Sequence, residues 1–418
     1  MRLSLFTEQR KLAMFEQLPL LGNRELIRAI NRSTILGAIK KHGTIPRAEI
    51  ARLTGLSPAT VTGITADLIH ENLVFEKESG DSSGGRRPIM LAINPRGGCV
   101  VGIKVMEDHA VGALTDLEAT PLGKEFFPFT DTSPKGVSEA LGKLVTILME
   151  NFGGTGSCLM GVGVGLAGII DADQGLVRQS PFFGWNDVPL RDLIQYHVHV
   201  PVYLDNDVNT LAFAEKWFGA GQGVNNFLVV TFGRGVGLAI VTNGQFYHGV
   251  RGGAGEFGHT VIQPDGELCS CGKHGCLEMY TSEPALLHQA AELFKNGELS
   301  RLPQTPEDLI ALASAGEAGA QAIFMRAGKL LGQNIANLVN IFNPQCILVS
   351  GEGARAGHWL FDPMRAAIDE HTLPHLLQDV SLLIEPLGDD AWARGAASLV
   401  LHELFESPIK RQSYIEVA

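Results

Sequence analysis

The chain has 418 residues, 45% hydrophobic and 19% charged, enough for roughly two to three domains of ordinary globular composition. No stretch approaches the roughly 18–20 apolar residues of a membrane helix. Charges run through the first 30 residues (Arg2, Glu8, Arg10, Lys11, Glu16, Arg24), so no signal-peptide core is expected, and a cytoplasmic protein with no membrane partner is.

The formal net charge of −12 speaks against nucleic acid only as a single number. Residues 1–96 hold 14 Lys/Arg and 9 Asp/Glu, and the remainder holds 19 against 36. That distribution suits a basic reading head on an acidic sensing body, or chance segregation.

Residues 1–20 carry Leu5, Leu12 and Phe15 among charges and read as an N-terminal helix or arm. A helix is predicted over about Arg24 to Lys41 from the spacing of Leu26, Ile27, Ile30, Ile35, Leu36 and Ile39. A short helix follows at about Arg47–Leu53, with Ile50 and Leu53 inward. Thr54-Gly55-Leu56 then turns the chain. Ser57-Pro58 opens a third helix, Ser as N-cap and Pro at the first position, where its missing N–H costs nothing. This helix is expected to bury Val61, Ile64 and Leu68 and to expose Thr60, Thr62, Gly63 and Thr65.

Two helices joined by a short turn are a helix-turn-helix, and small hydroxyl side chains on the second can approach base edges and phosphates. Ser57, Thr60, Thr62, Gly63 and Thr65 are therefore candidate DNA contacts. Strands near Leu73–Lys77 and Ile89–Ile93 would flank a Gly-rich wing whose Arg86 and Arg87 suit phosphates or a narrow minor groove. The competing reading is a three-helix interaction domain with a loose loop.

From Cys99 the texture becomes α/β. Strands are predicted at Val100–Val105, Gly161–Leu166, Phe227–Phe232 and Cys346–Val349, alternating with helices and Gly-rich turns. Residues 294–308 read as an internal loop.

Three signals carry chemistry in this body. His259, Cys269, Cys271 and Cys276 form the nitrogen and thiolate set of a closed tetrahedral zinc site. Buried free thiols are the alternative, and His274 competes with His259 as the nitrogen ligand. Asp205-Asn206-Asp207 ends a strand. Asp207 could act as a general base and Asn206 could bond a neighbouring hydroxyl, or both could cap the helix expected at Thr210–Phe218. Gly233-Arg-Gly235-Val-Gly237 offers backbone N–H groups to an anion, or merely a tight turn.

In this order the pieces resemble the ROK family of repressors, open-reading-frame proteins and sugar kinases. The matching residues are Asn206-Asp207, the 233–237 turn, Gly255-Glu256-Phe257-Gly258-His259, the Cys269–Glu278 run, and Asn343-Pro344 through Gly351-Glu352-Gly353. The likeness covers about residues 97–400. The head at 21–96 is similar to that of the family's repressor branch.

The resemblance implies an α/β fold class with a winged helix-turn-helix followed by a two-lobed, actin-like, hexokinase-type body. The expected domains are residues 1–20, 21–96 and 97–418, the last with its C-terminal segment returning to the first lobe. It implies sugar contacts at Asn206, Asp207, Glu256, His259 and Glu278, with Gly168 and the Ser180–Trp185 stretch lining the same cleft. One ring nitrogen of His259 would serve zinc and the other the sugar, which favours it over His274.

The kinases of the family open the first body strand with an Asp-x-Gly-Gly-Thr type turn for phosphate and magnesium. Here that stretch reads Gly102-Ile-Lys104-Val-Met106-Glu107, and Arg234 stands in the second phosphate loop where Thr is usual. Loss of kinase activity is expected, with Asp207 left as a binding residue. The expected function is a sugar-responsive regulator of carbohydrate genes. It would use structural zinc, operator DNA and a small sugar effector, and assemble as a homodimer or homotetramer. The alternatives are a bifunctional sugar kinase and a regulator governed by a protein partner.

Overall fold

The computed structural model describes residues 24–77, 88–153, 159–385 and 389–405. The arm at 1–20 and the wing tip with Arg86 and Arg87 lie outside the described residues. The chain divides into two compact units, one of residues 1–98 with 116–118 and 401–418, the other of 99–115 with 119–400.

The first unit contains α1 (Arg24–His42), β1 (Ile45–Pro46), α2 (Arg47–Thr54), α3 (Pro58–His70), β2 (Val74–Lys77) and β3 (Met90–Ile93). Its core is Ile35, Leu36, Ile39, Ile50, Val61 and Leu68, all at most 3% exposed. Gly55 caps α2 in the left-handed region at φ 70°. The Ser57 side chain accepts from Thr60 N at 3.1 Å to begin α3.

The three strands pair antiparallel in the order β1-β3-β2, Ile45 opposite Leu91 and Val74 opposite Ile93. β1 was not expected, because two residues, one of them proline, present no periodicity.

One inward assignment fails. Leu53 is 42% exposed. On α2 the inward row is Ile50 and Thr54, and Leu53 lies about 100° around the helix from Thr54. Ile27 is 48% exposed for the same kind of reason, since α1 turns only one stripe inward.

The second unit holds two five-stranded sheets. The first, ordered β11-β7-β4-β5-β6, is built from β4 (Cys99–Val105), β5 (His109–Asp116), β6 (Pro121–Pro128), β7 (Leu159–Leu166) and β11 (Val202–Asn206). β4, β7 and β11 run parallel, and β5 and β6 form an antiparallel ribbon. α4 (Pro134–Phe152) and α5 (Leu190–Val198) connect its strands. A small antiparallel sheet of β8 (Ile169–Asp171), β9 (Leu176–Ser180) and β10 (Trp185–Val188) lies between β7 and α5 in the chain.

α6 (Asp207–Phe218) then leads to the second sheet, ordered β14-β13-β12-β15-β16. Its strands are β12 (Phe227–Phe232), β13 (Val236–Thr242), β14 (Gln245–Phe246), β15 (Cys346–Ser350) and β16 (Ser381–Ile384). Between β14 and β15 come α7 (Glu278–Thr281), α8 (Glu283–Lys295), α9 (Pro306–Ser314) and α10 (Ala318–Phe342); α11 (His358–His371) and α12 (Pro374–Leu377) precede β16.

The stretch read as a loop at 294–308 is shorter than expected. Phe294 and Lys295 finish α8, and Pro306 starts α9 behind a Thr305–Asp308 capping box.

α13 (Asp389–Phe405) returns to the first sheet. Its backbone comes so near β7 that a Cβ on Gly163 would stand 1.8 Å from Ala396 O.

Candidate functional site

Four arginines of the helical head are already engaged. Arg28 pairs with Asp67 at 2.5 Å, Arg32 with Glu71, Arg47 with Glu76 at 2.7 Å and Arg52 with Glu49 at 2.5 Å. The face of α3 turned outward carries Ala59, Thr62, Gly63, Ala66 and His70, all exposed and mostly small. Ser57 is exposed, and Thr60 is half-buried with Oγ1 2.9 Å from Ser57 Oγ.

Thr65 departs from expectation. It is 0% exposed, accepts from Arg47 Nε at 3.0 Å and donates to Thr62 O at 3.2 Å. Positions 61, 65 and 68 share the inward face at i, i+4 and i+7, so Thr65 belongs to the core and not to a DNA-facing row.

In the second unit His259, Cys269, Cys271 and Cys276 bring one ligand atom each to within 4.8 Å of the others. Cys271 Sγ is 3.6 Å from Cys276 Sγ, and Cys269 Sγ is 3.5 Å from His259 Nδ1. A tetrahedral zinc with bonds of about 2.3 Å to sulfur and 2.0 Å to nitrogen sets ligand separations of about 3.5–3.8 Å, so the donors fit that ion.

Burial and the crowding of Cys271 and Cys269 push the Cys276 thiol up to about 12. These sulfurs would ionise side by side only around a cation. His274 stands apart, its Nδ1 donating to Gly266 O at 2.9 Å. The cluster can hold a metal through His259 Nδ1, which leaves His259 Nε2 facing Glu256 Oε2 at 3.9 Å.

A group of polar side chains gathers beside it. Asn206 ends β11 and Asp207 starts α6. Asn206 accepts from Val208 N at 2.8 Å and donates to Gly168 O at 3.0 Å, so it caps α6 while tying down the 168 turn. Gly168 sits at φ 130°, and a Cβ there would meet Gln179 O at 2.2 Å.

Burial raises the Asp207 carboxyl, and the Lys104 charge opposes that rise. Glu256 is also raised by burial; His259 opposes the rise, and Glu278 and Asp207 add to it. Glu278 Oε2 accepts from Val236 N at 3.0 Å, which orients it at the start of α7. Glu256 thus has His259, Glu278 and Asp207 as charged neighbours, an array suited to a polyol.

The Ser180–Trp185 stretch contributes differently along its length. Trp185 is buried and donates to Thr132 O at 3.0 Å, whereas Phe182 is 44% exposed under the Arg234 guanidinium at 5.5 Å.

Two ion pairs join the ends of the two five-stranded sheets. Lys104 of β4, 4% exposed, sets Nζ 3.2 Å from Glu352 Oε1 just after β15. Arg234, following β12, meets Glu107 at 2.7 Å. Lys104 also lies over the Trp392 ring at 4.5 Å.

Sequence reasoning missed Trp392 and the partnering of Lys104 with Glu352, which lies 248 positions away. It also passed over Asp205 and His248. Asp205 is 2% exposed and accepts from Asn206 N and Asn209 Nδ2, both at 2.7 Å. The Asp-Asn-Asp triplet signalled Asp205, but a lone histidine in a Gly-rich loop signalled nothing.

Comparison with known proteins places these features. The ROK family model matches residues 100–403, and the winged helix-turn-helix DNA-binding model matches residues 23–74. The xylose repressor of Bacillus spizizenii is 33% identical over 386 residues, 92% of this chain and 98% of that protein. The DNA-binding transcriptional dual regulator NagC of Escherichia coli is 30% identical over 383 residues, 91% and 94% of the two chains.

Among solved structures, a ROK family transcriptional regulator homologous to the E. coli MLC protein superposes with a TM-score of 0.82 at 28% identity, covering 91% of this chain and 98% of that one. A ROK family glucokinase from Streptomyces griseus, in complex with glucose and AMPPNP, gives 0.62 at 28% identity over 72% and 99%. The fold is a winged helix-turn-helix followed by an actin-like sugar-kinase body. No helix among the described residues is long and apolar enough to cross a membrane.

Proposed function

We propose, from the premise that this chain belongs to the ROK family, that it is a sugar-responsive DNA-binding transcriptional repressor of carbohydrate-utilisation genes. Its body binds a small sugar without phosphorylating it. The carrying observation is an asymmetry within one site. The acceptors suited to sugar hydroxyls are intact, whereas the phosphate side is occupied by the buried Lys104 paired with the half-buried Glu352 and by Glu107–Arg234. A phosphoryl donor would need cations or magnesium there, and finds a lysine already neutralised and an added carboxylate.

In this reading Asn206, Asp207, Glu256, Glu278 and His259 Nε2 bond the sugar hydroxyls, and Gly168 lines the cleft. Each unpaired acceptor would penalise a sugar lacking the matching hydroxyl. His259 Nδ1, Cys269, Cys271 and Cys276 would hold a structural zinc. The ion, when bound, fixes the loop that leads to Glu278. The relatives named as a xylose repressor and a DNA-binding transcriptional dual regulator support the transcriptional part of this proposal.

Ser57, Thr60, Thr62 and Gly63 of α3, with Arg86 and Arg87 of the wing, would face double-stranded operator DNA in the cytoplasm. A homodimer or homotetramer would present paired heads to a two-fold operator. Sugar binding favours one arrangement of the two lobes and so alters the affinity for DNA.

The test is fluorescence anisotropy of the full chain on its own upstream DNA across a panel of sugars, beside a coupled ATPase assay with the same panel. Binding altered by one sugar, with no sugar-dependent ATP turnover, supports the reading. Sugar-dependent turnover overturns the loss of kinase activity. DNA binding indifferent to every sugar points to control by a protein partner.

A further inference from the structure

The residues assigned to the sugar arrive from two directions. Asn206 and Asp207 stand at the end of β11 in the first sheet; Glu256 and His259 come from the loop that leaves β14 in the second. A binding constellation works only when its members are held to within about 0.5 Å. The loop from Tyr247 to Glu256 has little stiffness of its own, because Gly249, Gly252 and Gly255 all adopt positive φ (66°, 81° and 91°).

Backbone bonds close the loop on its own side, Tyr247 N to Ile240 O at 2.9 Å and Ala254 N to His248 O at 3.0 Å. Gly252 also approaches the small sheet closely, where a Cβ would lie 1.8 Å from Ile170 O. A side chain of the loop reaches the first sheet: His248 Nε2 donates to Asp205 Oδ2 at 2.8 Å. The other oxygen of that buried carboxylate accepts from Asn206 N and from Asn209 Nδ2. One carboxylate therefore orients the backbone of Asn206 and anchors the loop that carries Glu256. Burial alone would lower the His248 pKa, but the charge and hydrogen bond of Asp205, with the charge of Asp173, outweigh it and leave it raised.

We infer that His248 is a positioning residue of the sugar site, holding the Glu256 loop in register with Asn206 and Asp207 through Asp205. The inference rests on the sugar reading given above. It concerns a residue that is outside the assigned sugar contacts and outside the metal cluster.

The experiment compares the full chain with His248→Ala and His248→Gln. D-xylose and N-acetyl-D-glucosamine are titrated by calorimetry, zinc content is measured, and amide exchange through residues 249–256 is followed without sugar. His248→Ala should weaken binding of the responding sugar at least about ten-fold, leave zinc content unchanged and speed exchange in 249–256. His248→Gln keeps an N–H donor of similar reach and should recover most of both.

Wild-type affinity and exchange in His248→Ala would overturn the inference. So would equal losses in the Ala and Gln variants, which would point to packing instead of the hydrogen bond. If neither sugar binds the wild-type chain, the sugar reading fails for those ligands, and amide exchange still decides whether His248 holds the loop.

Discussion

Lys104 Nζ lies 3.2 Å from Glu352 Oε1, with the lysine side chain 5% exposed and the glutamate 31%. The asymmetry in exposure gives the two partners unequal roles. Glu352 can regain water when its partner is lost, and Lys104 cannot. Glu352→Gln should therefore cost more stability, about 2–4 kcal/mol, than Lys104→Met, which removes the buried charge itself. Urea denaturation at pH 7 measures both. An equal or reversed order would mean that the pair is more open than its geometry shows.

Zinc should be held at one ion per chain by the wild-type protein and by His274→Ala, and lost by His259→Ala and Cys276→Ser. Elemental analysis of purified variants reads this directly. Stripping the metal from the wild-type chain should weaken sugar binding, because the loop leading to Glu278 loses its fixed point. Unchanged affinity in a demonstrably zinc-free preparation would separate the metal from the sugar.

The buried Thr65 predicts a division within α3. Thr65→Ala removes the acceptor for Arg47 Nε and should lower the stability of the head by about 1 kcal/mol. Thr62→Ala should leave stability unchanged and weaken operator binding. Arg87→Ala should weaken specific binding by about 1–3 kcal/mol if it reaches a base edge, and weaken all sequences alike, with a smaller salt slope, if it touches phosphate only. Anisotropy on operator and on scrambled DNA at two salt concentrations distinguishes these outcomes.

Lys40 predicts a pH dependence of the first unit. Its ammonium lies 4.8 Å from the centre of the Phe405 ring, and burial lowers its pKa from 10.5 to about 7, with Glu118 opposing the shift. Between pH 7 and 10.5 the unfolded chain keeps a proton that the folded chain has released, so stability rises with pH across that window. Below about pH 7 the cost of the buried charge is felt in full. Lys40→Met should therefore stabilise the chain more at pH 6 than at pH 10. Denaturant midpoints at the two pH values check this; a gain independent of pH would remove the titration from the account.

The head shows how far sequence reasoning reached and where it stopped. Ser57-Pro58 located the start of α3 to the residue, because N-cap chemistry is local and the Ser57 bond to Thr60 N spans three positions. Thr65 was placed on the wrong face because a hydroxyl suggests solvent. Only the arrival of Arg47 from α2 supplies the partner that lets it be buried.

For the body, the sequence by itself determined the donor sets. One imidazole and three thiols within 18 positions pointed to a cluster able to hold a metal, and the family resemblance nominated Asn206, Asp207, Glu256, His259 and Glu278 as partners for hydroxyls. These are chemical identities and do not depend on distance. The tertiary structure alone decided which groups neutralise one another. Lys104 with Glu352, Glu107 with Arg234, and Asp205 with His248 are separated by 43 to 248 positions. Such pairs leave no periodic trace in the chain, because an ion pair requires only that two charges meet, and the ends of the two sheets determine where they meet.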